Sequence, residues 1–323
     1  MIFDEKIGKL YLNVSNLIKI IEGGNSHVVK AKLNDDSLVA VKFYKGESNR
    51  IQRMLTREQN AIEFLTAHNF LNIPEVLEVR KDLGLIVYRW IDGGPPISDK
   101  KSMEAITSMC SSLDQLEKRG HNFENAVDAA FSLYDIDLQI KERINLVRLN
   151  SKSELSQTAF LLLEEKLEKY RLIFNENQIF SSYTISVSDL GTHNMLYAND
   201  SFKFIDFEFF GRDSLDKMIG DFLLHPRNEF KNSEILNFKE YISNKLGWHI
   251  ENLNVILPIL SLKWAAIAFK RELLEIERSV SPDSAKRLLR ETNGMKYLSY
   301  FDYLISIKSN DSISTFRHFA DKI

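Results

Sequence analysis

Three oxygen-bearing side chains, Asp189, Asn194 and Asp206, stand five and then twelve positions apart along the chain. Far upstream, Lys42 lies in the apolar run Leu38 to Tyr44, and Glu58 follows it by sixteen residues. Phosphoryl transfer needs positioning and charge neutralisation more than covalent help, so the parts it asks of a protein are few. An ammonium must hold phosphates and an acid must orient it; Lys42 and Glu58 are the candidates, with Glu63 as the fallback partner. A carboxylate must orient, or take a proton from, an acceptor hydroxyl, and Asp189 suits that role. Asn194 and Asp206 offer the hard oxygen donors that magnesium prefers. Singly, a loop Asp or Asn is more often a turn former or cap, so the chemical reading rests on all of them in register behind the lysine.

A fifth part, a backbone turn that phosphates can approach closely, is offered by Gly23-Gly24-Asn25-Ser26. With only two glycines it reads by itself as an ordinary hairpin turn. Val39-Ala40-Val41-Lys42 is a close version of the Val-Ala-Ile-Lys strand of kinases, in which small Ala40 leaves room for adenine and Lys42 reaches the phosphates.

These residues need elements to position them. Two apolar stretches around Leu17 to Lys32 flank the glycine turn and predict a hairpin. Alternation in Leu38 to Tyr44 puts Val39, Val41 and Phe43 on one face of a strand and Ala40, Lys42 and Tyr44 on the other. Helical spacing of Ala61, Ile62 and Leu65 predicts a helix over Leu55 to Ala67, with Glu58 one turn before Ile62. Strands are expected at Val76 to Val79 and Leu83 to Ile91, ending at Asp92-Gly93-Gly94-Pro95-Pro96. Beyond that cluster the periodicity is mostly helical: Ile106 to Leu116, Ala126 to Leu149, and Leu155 to Phe174. The candidate loop Val187 to Tyr197 and a strand Phe202 to Phe207 interrupt the helices. The expected division is 1–91, a nucleotide-binding lobe, and 92–323, a helical lobe carrying the catalytic loop and acceptor pocket.

A chain of 323 residues with 44% hydrophobic content buries a substantial core. Its net charge of -3 gives no global reason to favour nucleic acid as a partner. One cysteine, Cys110, cannot form an internal disulfide, which fits a reducing compartment, and its neighbours Ile106, Met109 and Leu113 mark it as helix core. The opening MIFDEKIGKL lacks the basic and apolar pattern of a secretory signal, and the most apolar run, Val255 to Phe269, holds Pro258 and Lys263 and falls short of the roughly 20 residues a membrane span needs. A cytoplasmic protein without nucleic-acid or membrane partners is expected; nothing here bears on oligomeric state.

Taken together, the loop and strand motifs resemble the aminoglycoside phosphotransferase and choline kinase-like group of small-molecule kinases. Their catalytic loop commonly reads His-Gly-Asp-Leu-His-Pro-Gly-Asn, matched at the aspartate, leucine and asparagine of Val187-Ser188-Asp189-Leu190-Gly191-Thr192-His193-Asn194. Their metal strand, Ile-Asp-Trp or Ile-Asp-Phe followed by Glu, is matched by Ile205 to Glu208. The resemblance runs from about Leu17 to Pro226 and is specific in the Lys42 strand and the Asp189 to Asp206 block. It departs at Val187, where the group often has a loop-bracing histidine, and in the abbreviated glycine turn.

The resemblance implies an α+β, two-lobed protein kinase-like fold with a small β-rich N-terminal lobe holding one main helix and a larger, mostly helical C-terminal lobe. It implies ATP and Mg2+ as cofactors and a small-molecule hydroxyl as acceptor. A hinge is implied within Leu85 to Asp92, where backbone groups near Arg89 and Ile91 would bond adenine and Trp90 packs either beside the ligand or in the core. Asp221 is implied to anchor the catalytic-loop backbone. Glu208, Asp213 and Asp216 either make the acceptor pocket negative or are solvated acids. Trp248 and Trp264 read as core or as part of an aromatic cage, and His193 as a structural or supporting histidine. A protein kinase would carry Ala-Pro-Glu after Asp206, and none follows; a nucleotide-binding scaffold is the other rival, opposed by retention of Asp189, Asn194 and Asp206.

Overall fold

The structure, a computed structural model, describes residues 10, 12–150, 153–174, 178–180, 182–247, 252–279 and 288–307. Trp248 and Met1 to Lys9 lie outside the described residues. The chain divides into two compact units: Met1–Ile97 with Thr192–Gly211, and Ser98–Gly191 with Arg212–Ile323.

The first unit is built on a five-stranded antiparallel sheet of order β1-β2-β3-β5-β4. Its strands are β1 (Val14–Glu22), β2 (Ser26–Leu33), β3 (Leu38–Tyr44), β4 (Val76–Arg80) and β5 (Leu85–Arg89). The Gly23 N–H donates to the Ser26 carbonyl at 2.9 Å and closes the β1–β2 hairpin around Gly24-Asn25. Val39, Val41 and Phe43 pack with Val29, Ala31, Leu33, Leu85 and Val87 as one apolar core on one face, as strand alternation requires. The other face carries Ala40 opposite Tyr88 and Lys42 opposite Ile86.

Helix α1 (Ser48–Ala67) buries Met54, Leu55, Glu58, Ala61, Ile62 and Leu65, one stripe at helical spacing that is apolar except for Glu58. It starts seven residues before the expected Leu55, with Glu47 as an N-cap whose side chain makes no capping bond. Strands β7 (Met195–Ala198) and β8 (Ser201–Phe204) form a separate two-stranded ribbon in this unit. It is tied to the earlier chain by the Phe204 N–H on the Asn72 carbonyl, 2.8 Å, and by a bridge between Gly94 and Tyr197. Gly93 is required there, since a Cβ would meet the Tyr197 carbonyl oxygen at 2.5 Å. Asp206 was expected on a strand running to Phe207; β8 stops at Phe204 and Asp206 turns the chain at φ +67°, a left-handed conformation that Asp adopts more readily than most residues.

The second unit is mostly helical: α2 (Lys100–Lys118), α3 (Leu133–Asn150), α4 (Glu154–Ile173), α5 (Leu215–Leu224), α6 (Asn232–Leu246), α7 (Leu253–Ser279) and α8 (Asn293–Ile307). Short strands β6 (Tyr183–Ser186) and β9 (Gly211–Ser214) pair with one another. Helix α2 opens on a reciprocal capping box between Asp99 and Ser102, and Cys110 is buried in it, burial pushing its thiol up to about 12. The expected helix from Ala126 begins only at Leu133, because Ala126 and Ala130 spend their N–H groups on the Arg212 carbonyl and the Asp213 carboxylate, each at 2.9 Å.

Helix α7 is longer than its apolar run suggested. Leu253–Glu277 is 25 residues, enough to cross a membrane by length and composition alone, yet 67% of its most apolar window is buried within the fold. Lys263, in the middle of that stretch, is paired with Asp221 at 2.9 Å.

Candidate active site

In the first unit, strand β3 delivers Lys42 into a set of acids. Its ammonium donates to Glu58 Oε2 at 2.6 Å and to Asp206 Oδ1 at 2.7 Å, and lies 3.3 Å from Glu208 Oε2. The side chain is only 6% exposed. Burial alone would lower its pKa, but Asp206, Glu58 and Glu208 outweigh that and hold it well above the usual lysine value. The fallback partner Glu63 instead accepts from Gln59 within α1.

Glu58 is a carboxylate in an otherwise apolar stripe, which is tolerable because each oxygen is served. Oε2 accepts from Lys42 and the Tyr44 hydroxyl, and Oε1 from the Tyr88 hydroxyl at 2.6 Å. The two tyrosines were missed in the sequence, although Tyr44 falls on the Lys42 face of β3 by simple alternation. Burial, then the Glu58 charge, pushes both phenols well above their usual values, so they remain donors.

The sequence leaves Glu208 either an acceptor-pocket acid or a solvated one. It is buried beside Lys42, and its Oε1 accepts from Asn25 Nδ2 at 2.8 Å, tying the hairpin turn to the segment after β8. Burial pushes its carboxyl up to about 7, with Lys42 pulling it down and Asp206 and Glu58 pushing it further up. Arg50 donates to Asn25 Oδ1 at 2.9 Å from the first turn of α1. Gly24 has no atom within 4 Å of where a Cβ would stand, so the tip of the turn is open to a ligand. Neither Gly23 nor Gly24 has a positive φ; open space and not unusual backbone angles distinguishes this turn.

Thr192 to Asn194 form one turn of 3₁₀ helix, and the Asn194 carbonyl accepts from the Ile205 N–H at 2.9 Å, so Asn194 and Asp206 sit on neighbouring stretches of backbone. An amide oxygen and a carboxylate with 35% exposure are a donor set suited to magnesium. Along the stretch where the resemblance implies a hinge, the Arg89 N–H is committed to the Glu75 carbonyl and the Trp90 N–H to that of Leu38. Among the described residues Ile91 offers the first hinge N–H with no protein partner, while its carbonyl accepts from Gly93. Trp90 carries the Lys30 ammonium 4.3 Å from its ring centre.

The second unit holds Asp189, whose carboxylate is 37% exposed. Its N–H donates to the Val187 carbonyl at 2.8 Å, around Ser188 at φ +63°, where the resembling pattern has glycine. His225, directly after α5, brings Nε2 to 3.5 Å from Asp189 Oδ1. Asn228 Nδ2 donates to the carbonyls of Leu190 and Phe222 at 3.1 and 2.9 Å.

The other acids of this unit are occupied elsewhere. Asp213 pairs with Lys217 at 2.7 Å, and Asp216 accepts from the backbone and side chain of Asn252, both carboxylates being buried. Neither is available to line an acceptor pocket. Asp221 takes bonds from Lys263, Lys217 and the Trp264 indole, and the anchoring role implied for it on the catalytic-loop backbone is not what these bonds do. Burial would raise its pKa, but Lys263 and Lys217 hold it well below the usual carboxylate range.

No protein-family model and no curated protein sequence matches this chain. Solved structures do. Choline kinase from Cryptosporidium parvum Iowa II superposes with a TM-score of 0.62 at 12% identity, covering 99% of this chain and 98% of that one. Amicoumacin kinase hAmiN, solved with AMP-PNP, Ca2+ and Ami, gives 0.58 at 12% identity over 92% of each chain. A thermostable mutant of aminoglycoside phosphotransferase APH(4)-Ia gives 0.56 at 11% identity over 95% and 99%. The chain therefore has the α+β kinase-like fold shared by choline kinases and aminoglycoside phosphotransferases, and the resemblance read from its motifs holds at the level of fold.

Proposed function

We propose that this chain is an ATP- and magnesium-dependent phosphotransferase that passes the γ-phosphoryl group to a hydroxyl of a small molecule of aminoglycoside, amino-alcohol or sugar-like kind. The observation that carries this reading is the Lys42 ammonium set between Glu58 at 2.6 Å and Asp206 at 2.7 Å. A lysine so framed keeps its charge and a fixed position, as a phosphate-holding group must. The fold's solved relatives support it, since they are kinases of small molecules and one was solved with AMP-PNP.

In this reading Lys42 holds phosphate oxygens and the open turn at Gly24 lets the chain approach them. The Ile91 N–H and the space beside Ala40 receive the adenine. Asn194 and Asp206 hold magnesium, which neutralises charge on the transferring group. Asp189, five residues before Asn194 in the chain, orients the acceptor hydroxyl. As the hydroxyl oxygen bonds to the γ-phosphorus, the bond from that phosphorus to the ADP oxygen breaks and the hydroxyl proton passes to Asp189.

The test is purified protein with ATP and Mg2+ against aminoglycosides, choline, ethanolamine, sugars and a generic protein, read by mass spectrometry of the acceptor. Transfer to a small molecule is expected, and Asp189→Ala should slow it by about 10²–10⁴-fold with nucleotide binding retained. Transfer to protein alone, or full turnover by the variant, overturns the reading.

A further inference from the structure

We propose that the turn His225 to Asn228 braces the loop carrying Asp189, with the His225 imidazole as the group that orients the carboxylate; this rests on the phosphotransferase reading. The need for a brace is visible in the loop. Val187, buried and apolar, stands where the resembling pattern has an imidazole and has nothing to donate. Ser188 holds a left-handed backbone conformation beside Asp189.

The tautomer of His225 is set by its own turn. The Arg227 N–H donates to Nδ1 at 3.2 Å, so Nδ1 bears the lone pair and the ring hydrogen lies on Nε2. Nε2 is the nitrogen that faces Asp189 Oδ1, and it faces it as a donor. At 3.5 Å the pair is longer than a direct hydrogen bond, and contacts of this kind tighten when substrate binds.

The ring is held where it stands. It packs edge-on against Trp264, 5.0 Å between centroids and 87° between planes, and the Trp264 indole N–H is fixed on Asp221 at 3.1 Å. Tyr297 stacks on Trp264, and its hydroxyl donates to the carbonyl of Leu224, the residue before His225, at 2.6 Å. Asn228 completes the clamp by holding the Leu190 carbonyl, one residue beyond Asp189. A neutral donor facing Oδ1 restrains rotation of the carboxylate. Unlike an Arg or Lys, it adds no full positive charge that would weaken the base. His225 is thus a positioning residue, not a group that touches the reacting atoms.

The test uses the full chain with Mg2+·ATP and water as acceptor, together with choline as an added alcohol. His225→Ala is expected to lower kcat by about 10- to 100-fold with the ATP KM changed by less than about twofold, the signature of a displaced base. His225→Gln, which can return an N–H to the same place, should recover most of the loss; unchanged kcat in His225→Ala, or Gln no better than Ala, overturns the proposal. A second readout needs no activity: imidazole nitrogen NMR should show His225 with its hydrogen on Nε2, and Asp189→Ala should shift that signal. The opposite tautomer, or a signal indifferent to Asp189→Ala, sinks the brace. Absence of ATP turnover in the wild-type protein would count against the phosphotransferase reading alone.

Discussion

Lys42 and Asp206 are 164 residues apart in the sequence and 2.7 Å apart in space. One ammonium therefore bonds the sheet to the segment after β8, and it does so inside a ring of three carboxylates, Glu58, Asp206 and Glu208. Charge balance in that ring bears on the stability of the first unit and, in the proposed reading, on phosphate binding.

Replacing Lys42 with Met keeps the volume and removes the cation. Leaving buried acids uncompensated costs about 3–5 kcal/mol, so urea unfolding should show Lys42→Met destabilised by that order, with part of the loss regained in Lys42→Met/Glu58→Gln. Nucleotide affinity should fall in both. A single variant as stable as the parent would mean that the ion cluster does not hold the sheet.

Asp206→Ala is expected to take away the magnesium-dependent part of nucleotide binding while the protein still folds. Calorimetric titration with the nucleotide in the presence and absence of Mg2+ measures it. If the variant keeps the parent's metal dependence, Asp206 has no part in holding the ion.

The two tyrosines on Glu58 are not equivalent. Tyr88 serves Oε1 by itself, whereas Tyr44 shares Oε2 with Lys42. Hydrogen bonds to charged groups contribute about 1.5–3 kcal/mol, and an orphaned buried oxygen adds its desolvation cost. Tyr88→Phe should therefore destabilise by more than Tyr44→Phe in denaturant melts; equal or reversed losses would contradict the bonding described.

In the second unit, Asp221 between Lys217 and Lys263 has its pKa held below the ordinary 3.8. A depressed carboxylate contributes stability that is present above its unfolded pKa and lost as pH falls through the folded value. The stability difference between the parent and Asp221→Asn should thus be largest near neutral pH, about 3–5 kcal/mol, and shrink on acidification below about pH 4. A gap that widens in acid would show the opposite linkage.

Much of the first unit was legible because its strands obey local rules. Strand β3 runs from Leu38 to Tyr44 as the alternation requires, and Glu58 meets Lys42 as their spacing suggests. The early start of α1 was hidden because Ser48, Asn49 and Arg50 are exposed and carry no apolar period, and Glu47 makes no capping bond. The stretch from Ala126 had helical spacing but lost its N–H groups to Arg212 and Asp213, a tertiary competition that periodicity does not register. Asp213, which its sequence context left as a pocket acid or a solvated one, is buried and paired with Lys217 four residues on. Lys263, set in an apolar helix, was the available hint that an acid waited for it.

The first unit has a chain order with a consequence for synthesis. Its sheet is translated early, yet Asp206, Glu208 and the β7–β8 ribbon arrive only after Ser98–Gly191 has been made. A nascent chain ending at Ile97 would hold Lys42 with Glu58 alone and leave the Asn72 carbonyl without the Phe204 N–H. Fragments cut at that point should be poor folders and ready clients for chaperones. The sheet, complete in its strands by Arg89, must stay soluble on the ribosome until a segment from much later in the message comes back to complete the unit.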